Sequence, residues 1–237
     1  MKLSVIIPVF NEEKTISEIL KKVKLVKLPY KMEKEIIVID DGSKDNSKFK
    51  IQSSKFKGIK LISHPKNLGK GASVRSGLNV ASGDYIIIQD ADLEYDPSYY
   101  PLLLKPILEN KTYIVYGTRL KNYPLKFWGR DKTVLPTHLI ANRFLTGLTN
   151  LLYNSNLTDM ETCYKVFTCI SLKGIKLESS RFDFEPEITA KFLKKGYQII
   201  EIPIETKPRT YKQGKKIGFW DGVKAVFTIL KYKFVDS

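Results

Sequence analysis

The amino-acid sequence predicts an α/β fold with a mostly parallel central sheet that is covered by helices on both faces. In the first half of the chain, short apolar runs alternate with segments in which apolar residues recur at helical spacing. Each run is continuously apolar, which is typical of parallel strands that are buried on both faces. A length of 237 residues fits a single domain with a sizeable core.

The predicted elements of the first half are five strands with helices between them. The strands are 3–9, 35–39, 59–63, 85–89 and 113–117. The segment 12–26 is predicted as a helix, because its apolar residues fall on one face and its lysines on the other. A second helix is predicted over 71–80.

The second half is less regular. The predicted elements there are helices over 135–153 and 184–193, a strand over 198–204 and a basic loop over 209–216. From Phe219 onward the chain is again amphipathic, with an apolar stripe beside Lys224 and Lys231. The whole chain, 1–237, is predicted to form one domain.

The charge of the chain favours an anionic partner. The formal net charge is +15 and the isoelectric point is about 9.6. Such a surface attracts nucleic acid, anionic lipid headgroups or phosphate-bearing substrates, although a lysine-rich surface also simply keeps a protein in solution. Nucleic acid is disfavoured, because acidic side chains rather than arginines and aromatics follow the predicted strands.

The two cysteines, Cys163 and Cys169, form neither a disulfide framework nor a zinc pattern, which agrees with a reducing cytosolic setting. The apolar run at the N-terminus is very short and lacks a signal-peptide cleavage site, so we expect it to be the first strand. No stretch approaches the roughly 18 uncharged apolar residues that a transmembrane helix needs.

Two aspartates carry the central chemical signal. Asp90 and Asp92 follow the uncharged fourth strand, and ligands of parallel sheets bind outside the carboxyl ends of the strands. The two carboxylates can place oxygens on one hard cation, which bridges to phosphate oxygens. A solvated acidic turn is the alternative, but a metal explains why two carboxylates lie together. Glu94 is the candidate to complete the coordination shell.

Two further positions are candidates for nucleotide contact. Asp40 ends the second strand, where a carboxylate accepts hydrogen bonds from ribose hydroxyls or a base, whereas helix capping is the alternative for its neighbour Asp41. The segment 69–75 has neither the spacing of a phosphate-binding loop nor that of a dinucleotide fingerprint. We interpret it as a helix-capping loop whose Lys70 or Arg75 faces the nucleotide.

Several basic residues are candidate phosphate ligands, since a guanidinium group suits bidentate phosphate recognition. They are Arg119, Arg130, Arg143, Arg209, Lys212, Lys215 and Lys216. Any single one fits a solvated surface as well, but the group at 209–216 is predicted to bind a diphosphate or a lipid phosphate. The acids within 159–165 and 182–187 either line an acceptor pocket or cap helices.

Four motifs in a fixed order resemble the inverting glycosyltransferases of family 2, which have the GT-A fold. They are SVIIPVFNEE at 4–13, IDDGS at 39–43, NLGKG at 67–71 and QDADLE at 89–94. The likeness is closest to the dolichyl-phosphate mannose synthase branch, which includes polyprenyl-phosphate glucose transferases. It continues through 117–119, 159–165, 182–187 and 208–216, and therefore covers nearly the whole chain.

The resemblance implies a donor site and a metal. The residues expected at the nucleotide sugar are Pro8, Phe10, Glu12, Asp40, Lys70, Asp90, Ala91, Arg209 and Lys215. Asp40 would lie at the base or ribose, and Arg209 and Lys215 at the diphosphate. Mg²⁺ or Mn²⁺ would be held by Asp90 and Asp92, with help from Glu94.

The resemblance also implies an acceptor site. Arg119 would meet the acceptor phosphate, with Arg130 or Arg143 as a second arginine. A lipid phosphate is already ionised at neutral pH, so it attacks and inverts the anomeric carbon without a general base. A hydroxyl acceptor would require a base, and Asp159 is the candidate. The predicted catalytic residues are Asp92, Arg119 and Asp159.

The sequence therefore predicts a metal-dependent hexosyltransferase. It would move mannose or glucose from a donor of the GDP-mannose or UDP-glucose class to a polyprenyl phosphate such as dolichyl or undecaprenyl phosphate. The alternative is a glycan or soluble hydroxyl acceptor in cell-surface polysaccharide synthesis. Residues 1–118 would bind the nucleotide sugar, 119–210 the acceptor, and 211–237 would form a basic amphipathic tail.

The predicted location is peripheral, at the cytoplasmic face of a membrane. The segments 144–152 and 220–230 would lie in the interface, with lysines on anionic headgroups. Ordinary core packing is the alternative for both segments. A membrane-anchored protein partner fits the same location.

Overall fold

The computed structural model describes residues 1–53, 58–121, 136–207, 209 and 218–235. Within these ranges the chain forms seven strands, which are β1 (Lys2–Val9), β2 (Glu33–Asp40), β3 (Ile59–Ser63), β4 (Tyr85–Ile88), β5 (Ile114–Thr118), β6 (Lys165–Thr168) and β7 (Ile199–Pro203). The α-helices are α1 (Ile16–Leu25), α2 (Ser47–Gln52), α3 (Lys70–Leu78), α4 (Tyr100–Leu108), α5 (Pro136–Tyr153), α6 (Phe184–Lys194) and α7 (Phe219–Phe234). The predicted α/β class is confirmed.

All seven strands belong to one sheet with the order β3-β2-β1-β4-β6-β5-β7. The pairs along β3-β2-β1-β4 and the pair β5-β7 are parallel, whereas β6 is antiparallel to both of its neighbours. The chain leaves β1 toward β2 and β3 on one side, and β4 lies on the other side. The strand order therefore reverses between β1 and β4, which is where open α/β sheets bind their ligands.

The main hydrophobic core lies on both faces of this sheet. β1 and β2 carry runs of buried residues, such as Val5 to Ile7 and Ile36 to Ile39, as continuous apolar strands predict. A second core cluster joins α5 to α7 through Leu145, Ala225 and Ile229. The main core includes Val9 and Ile88, the last residues of β1 and β4, and so fixes the carboxyl ends of these strands.

Four elements differ from the sequence prediction, and each has a local reason. No helix is predicted where α2 forms, because its six residues are too few to show helical spacing. β6 has only four residues and begins at Lys165, so its sequence does not read as a buried strand. α4 contains Pro106, which normally interrupts a helix. α1 begins at Ile16 rather than at residue 12, because Asn11 adopts a φ of 53° and the chain turns before the helix starts.

Helices α5 and α7 leave apolar side chains in contact with solvent. On α7, Trp220, Phe227 and Phe234 are 74, 68 and 79 % exposed and recur every seven residues, so they share one face. On α5, Phe144 and Leu151 are also exposed. Among the residues that the structure describes, no helix is both long and apolar enough to span a bilayer.

Candidate active site

A cavity of about 340 Å³ lies at the carboxyl ends of β1 and β4. It is lined by most of the residues singled out from the sequence, which are Pro8, Phe10, Glu12, Lys70, Asp90, Ala91, Asp92, Glu94, Arg119 and Arg209. These side chains come from β1, α3, β4 and segments that are far apart in sequence. Their convergence at the reversal of strand order is the geometry that a ligand site in this architecture requires.

The turn that carries the two aspartates is held by a buried amide. Gln89 is fully buried, and its Oε1 accepts hydrogen bonds of 2.7 Å from the hydroxyls of both Tyr100 and Tyr164. Its Nε2 donates to the carbonyls of Asp90 and Tyr95 at 3.0 and 3.2 Å. A satisfied buried network of this kind fixes the backbone at the point where the carboxylates enter the cavity.

Arg209 contacts three carboxylates in the cavity. Its Nη1 and Nη2 each lie 3.2 Å from the Glu12 carboxylate, and Nη2 donates to Asp92 Oδ2 at 2.9 Å. Its backbone N–H donates to Glu94 Oε1 at 3.1 Å. The guanidinium therefore offsets the charges of Glu12 and Asp92. A guanidinium group also suits bidentate binding of an anionic diphosphate.

Lys70 neutralises the other side of the aspartate turn. Its Nζ lies 3.0 Å from Asp90 Oδ1 and 2.9 Å from Glu185 Oε1. Burial works against the charged form of Asp90, but the Lys70 ammonium outweighs it and holds the pKa of Asp90 below its usual range. Burial, together with the neighbouring Asp90 and Glu94, raises the pKa of Asp92 to about 7.

The chemistry of the carboxylates fits a hard divalent cation. Oxygen ligands such as Asp90 and Asp92 are those that Mg²⁺ and Mn²⁺ prefer. Within the described ranges, no three His, Cys, Asp or Glu side chains converge as a metal cage. Glu94, predicted as a third ligand, lines the cavity and accepts from the Arg209 backbone N–H, so its contact with a metal stays a prediction. Two carboxylates fit Mg²⁺, which is usually held by one or two carboxylates plus phosphate oxygens and water.

Arg119 reaches the cavity but is paired with Asp159. Its Nε and Nη2 lie 2.7 and 2.8 Å from the two carboxylate oxygens, and its backbone N–H donates to Oδ2 at 3.0 Å. Asn142 of α5 adds a fourth hydrogen bond of 3.0 Å. Burial disfavours the Asp159 carboxylate, but the Arg119 charge outweighs it and keeps the pKa of Asp159 low.

These contacts do not suit the role of general base expected of Asp159. The residue is completely buried and is not among those that line the cavity. Both of its oxygens already accept hydrogen bonds, and a lowered pKa makes it a poor proton acceptor. Asp159 instead orients Arg119, whose side chain does line the cavity.

The second strand contributes Asp41 rather than Asp40 to the cavity. Asp40 is 2 % exposed and does not line it. Asp41 lines it, but its carboxylate also accepts hydrogen bonds from the backbone N–H groups of Leu68 and Gly69 at 2.9 and 2.8 Å. Asp41 therefore anchors the loop before α3, and contact of Asp40 with a base or ribose stays a prediction.

The N-terminus of α3 is closed by protein rather than open to phosphate. The backbone N–H groups of Gly71 and Ala72 donate to the carbonyls of Arg181 and Ser180 at 3.2 and 3.0 Å. A Cβ on Gly69, whose φ is 102°, would lie 2.2 Å from the Ser180 carbonyl oxygen. The prediction of a loop over 69–75 is wrong, because residues 70–75 already belong to α3 and only Gly69 is the cap residue, whereas Lys70 lines the cavity as expected.

The sequence reasoning missed several residues of the cavity as individuals. Glu161, Cys163, Phe182 and Glu185 line it and belong to the segments 159–165 and 182–187, whereas Arg181 lines it and lies just outside them. Both segments continue the family resemblance, but it implies no role for these single residues, and α6 and the turn before β6 bring them in from the second half of the chain. A buried acid in an otherwise apolar stretch was the only available signal.

The structure does not test every predicted position. Lys215, Lys212, Lys216 and Arg130 lie outside the described residues. Arg143 is part of α5 and does not line the cavity. The choice between Arg130 and Arg143 for the acceptor phosphate therefore stays open.

The sequence matches the family described as "Glycosyl transferase family 2" over residues 4–175. The chain is 28 % identical to the UDP-N-acetylglucosamine–dolichyl-phosphate N-acetylglucosaminyltransferase of Methanococcus voltae over 248 residues, which cover 96 % of this chain and 94 % of the relative. It is 30 % identical to an uncharacterised protein of Methanocaldococcus jannaschii over 210 residues, which cover 83 % of this chain and 84 % of that protein.

The fold resembles that of glucosyl-3-phosphoglycerate synthase from Mycobacterium tuberculosis. The crystal structure of that protein with Mn²⁺, UDP and phosphoglyceric acid aligns with a TM-score of 0.73 at 20 % identity, and covers 100 % of this chain and 80 % of the synthase. A further structure of the synthase contains Mg²⁺ and UDP. The likeness identifies the sheet and helices as the GT-A fold.

Proposed function

Because the chain belongs to glycosyl transferase family 2 and is a glycosyltransferase, we propose that it moves a hexose, with inversion, from a nucleotide-diphosphate sugar to a polyprenyl phosphate. The observation that carries this proposal is the cavity in which Asp90 and Asp92 lie between the cations of Lys70 and Arg209. Acidic metal ligands next to an arginine fit a metal-bound diphosphate. Structural neighbours that contain UDP with Mn²⁺ or Mg²⁺ support the same chemistry.

The transfer follows from charge and position. The acceptor phosphate oxygen attacks the anomeric carbon from the side opposite the diphosphate, and the bond from that carbon to the diphosphate oxygen breaks with its electron pair. An ionised phosphate has no proton to lose, so no base is needed. Arg209 and Lys70 stabilise the charge that develops on the leaving group. A bound Mg²⁺ or Mn²⁺ on Asp90 and Asp92 supplies further Lewis-acid stabilisation.

The acceptor is proposed to be a lipid phosphate. The relative from Methanococcus voltae, named for transfer to dolichyl phosphate, supports this choice across nearly the full length of both chains. Arg119 lines the cavity and is held by Asp159, whose carboxylate also accepts a hydrogen bond from Asn142 of α5, so this helix is linked to the site through Asp159. The Arg119 guanidinium is the proposed ligand of the acceptor phosphate.

We propose that α7 and α5 attach the protein to the cytoplasmic face of a membrane. Lys224 and Lys231 lie on the same stripe of α7 as Trp220, Phe227 and Phe234, since these positions follow the helical repeat. Aromatic side chains with adjacent lysines are typical of helices that lie in an anionic membrane interface. A membrane-anchored partner protein would use the same surface.

Membrane attachment is tested by co-sedimentation with vesicles that contain anionic phospholipid. The double variant Trp220→Ala/Phe227→Ala is expected to lose vesicle affinity by at least about tenfold, because each aromatic buries apolar surface in the interface. Phe49→Ala removes a comparably exposed aromatic from α2 and is the control. Equal binding by the double variant and the control would reject this surface as the attachment site.

A glycan or soluble hydroxyl acceptor is the second candidate. Burial, and next the neighbouring Glu185, raise the pKa of Glu161 to about 8, which suits a general base better than Asp159. Glu161 also lines the cavity. The synthase from Mycobacterium tuberculosis, whose crystal contains phosphoglyceric acid, supports such an acceptor at the level of the fold.

A donor-depletion screen separates the two candidates. UDP-glucose, UDP-N-acetylglucosamine and GDP-mannose are each incubated with the protein and Mg²⁺ or Mn²⁺, with and without polyprenyl phosphate. We expect depletion of one donor that depends on the lipid, gives an organic-extractable and acid-labile product, and stops when EDTA is added. Depletion only with a hydroxyl acceptor would favour the second candidate, and no depletion of any donor would reject the proposal.

A further inference from the structure

Glu161 and Glu185 lie in the cavity but have no part in holding the metal or the diphosphate. We propose that these two carboxylates bind hydroxyl groups of the hexose that is transferred, and so select the donor sugar. The inference rests on the proposed function, because it assumes a nucleotide-sugar donor in this cavity. It adds a sugar subsite to the site of the diphosphate.

Glu185 is a buried acid, and one of its two carboxylate oxygens has no hydrogen-bond partner among the described residues. The residue is 4 % exposed and lies in the first turn of α6, where the helix dipole favours a negative charge. Its Oε1 is 2.9 Å from Lys70 Nζ. Its Oε2 is buried and has no hydrogen-bond partner among the described residues. Since an unsatisfied buried carboxylate oxygen is costly, this atom indicates a donor that comes from outside the chain.

Glu161, which precedes β6, also has one carboxyl oxygen without a partner among the described residues. Its Oε1 is buried without a partner in the part of the chain that the structure describes, and the residue lines the same cavity. Glu185 lines this cavity as well. Two carboxyl oxygens without a partner among the described residues thus belong to side chains of one cavity.

The charges around the pair favour a neutral ligand with hydroxyl donors. Lys70 is already shared between Asp90 and Glu185. The buried ammonium of Lys165 donates to the backbone carbonyls of Met160 and Thr162 instead of to a carboxylate. An anionic ligand such as the acceptor phosphate would add negative charge beside two acids, while the Lys70 ammonium is already shared between Asp90 and Glu185. The unpartnered carboxyl oxygens accept hydrogen bonds, so sugar hydroxyls are the complementary donors.

The position of the pair suits the sugar of the donor. Lys70 contacts both Asp90 and Glu185, so the Glu185 carboxylate is adjacent to the aspartates proposed to hold the metal and diphosphate. The hexose is joined to that diphosphate and extends from it by the width of one ring. Glu161 and Glu185 therefore lie where the hydroxyls on the far side of the ring would meet a protein carboxylate.

The test compares the nucleotide sugar with its own nucleoside diphosphate. Binding of UDP-glucose, UDP-N-acetylglucosamine and GDP-mannose, and of UDP and GDP, is measured calorimetrically with Mn²⁺ for wild type, Glu161→Gln and Glu185→Gln. Each variant is expected to weaken binding of the donor sugar nucleotide by about tenfold or more, since an amide NH₂ group replaces one of the two carboxyl oxygens that can accept from a sugar hydroxyl. Binding of UDP or GDP is expected to change by less than about twofold.

Controls separate this role from loss of the fold or of the diphosphate site. Glu109→Gln removes a carboxylate at the end of α4 that does not line the cavity, and it should leave all affinities unchanged. The melting temperature of each variant reports folding. In a second arm, forms of the donor that lack the 3- or 4-hydroxyl should bind wild type weakly and the Gln variants no worse, because the same hydrogen bond is already missing.

Two results would overturn the inference. One is an equal loss of affinity for the nucleotide sugar and for its nucleoside diphosphate, which would put the pair at the diphosphate. The other is unchanged affinity for the nucleotide sugar in both variants. Wild-type protein that binds none of the three sugar nucleotides would reject the proposed function itself, and that outcome is seen before any variant is compared.

Discussion

Turnover falls by about 10³-fold or more when Asp90 and Asp92 are both replaced by Asn, because the diphosphate then leaves without its metal. Asn keeps the size of each side chain but removes the charge that binds a hard cation. It also leaves Lys70 and Arg209 without their partners on this turn. The measurement is kcat and kcat/KM for release of the nucleoside diphosphate, with each single variant beside the double one.

The matched control for the aspartates is Asp84→Asn. Asp84 precedes β4, and its carboxylate lies at the opposite edge of the sheet, where it accepts a hydrogen bond of 2.8 Å from the Lys2 backbone. This variant removes one acid from the same strand region and should retain full turnover. Turnover that persists in the double Asn variant would refute the role of the aspartate turn.

Asp159→Asn is expected to destabilise the fold by about 3–5 kcal/mol, because it leaves the Arg119 charge without its buried partner. The pair has two direct contacts below 3 Å, and Asp159 is completely buried. Glu201 adds a hydrogen bond of 3.0 Å from the Asp159 backbone N–H, so the turn is held from both sides. Denaturant unfolding gives the free energy of unfolding directly.

A double variant distinguishes an unpaired charge from general damage. Arg119→Met/Asp159→Asn removes the charge together with its partner and should recover part of the stability lost in Asp159→Asn. Its turnover should stay low, because the proposed acceptor-phosphate ligand is gone. Full stability of the single variant would contradict the structural role of the pair. Wild-type activity in Asp159→Asn would contradict its positioning of Arg119.

Six of the seven strands and the aspartate turn at the cavity can be predicted from the sequence, because both are local signals. The apolar run of β4 and the aspartates that follow it are contiguous in sequence, so one short segment is enough to predict that the aspartates lie at a strand end. The reversal of strand order at β1 then brings Pro8, Phe10 and Glu12 to the same edge. Local pattern and topology rules are enough for this half of the site.

The partners of Arg119 and Arg209 in their ion pairs could not be predicted from the sequence. Arg119 meets Asp159 across 40 positions, and Arg209 meets Glu12 across 197. No spacing rule predicts such pairs, because they depend on how β5, β6 and β7 close the sheet. The same limit explains why Asp159 was given the role of a base: its sequence shows an acid, but not the guanidinium that holds it.

The choice between Asp40 and Asp41 had a different cause. Adjacent residues at a strand end point to opposite sides, so neighbouring acids face different surroundings. Asp40 and Asp41 are both buried, but only Asp41 lines the cavity, and this difference cannot be derived from two identical side chains in sequence. A ligand contact at the end of β2 stays a prediction.

Affinity for UDP and GDP with Mn²⁺ or with EDTA tests the aspartate–metal site most directly. For wild type, Mn²⁺ should tighten binding of at least one of the two nucleotides by about tenfold or more, because the cation joins Asp90 and Asp92 to the diphosphate oxygens. In the double Asn variant the metal should have no effect. Equal wild-type affinities with Mn²⁺ and with EDTA would contradict the account.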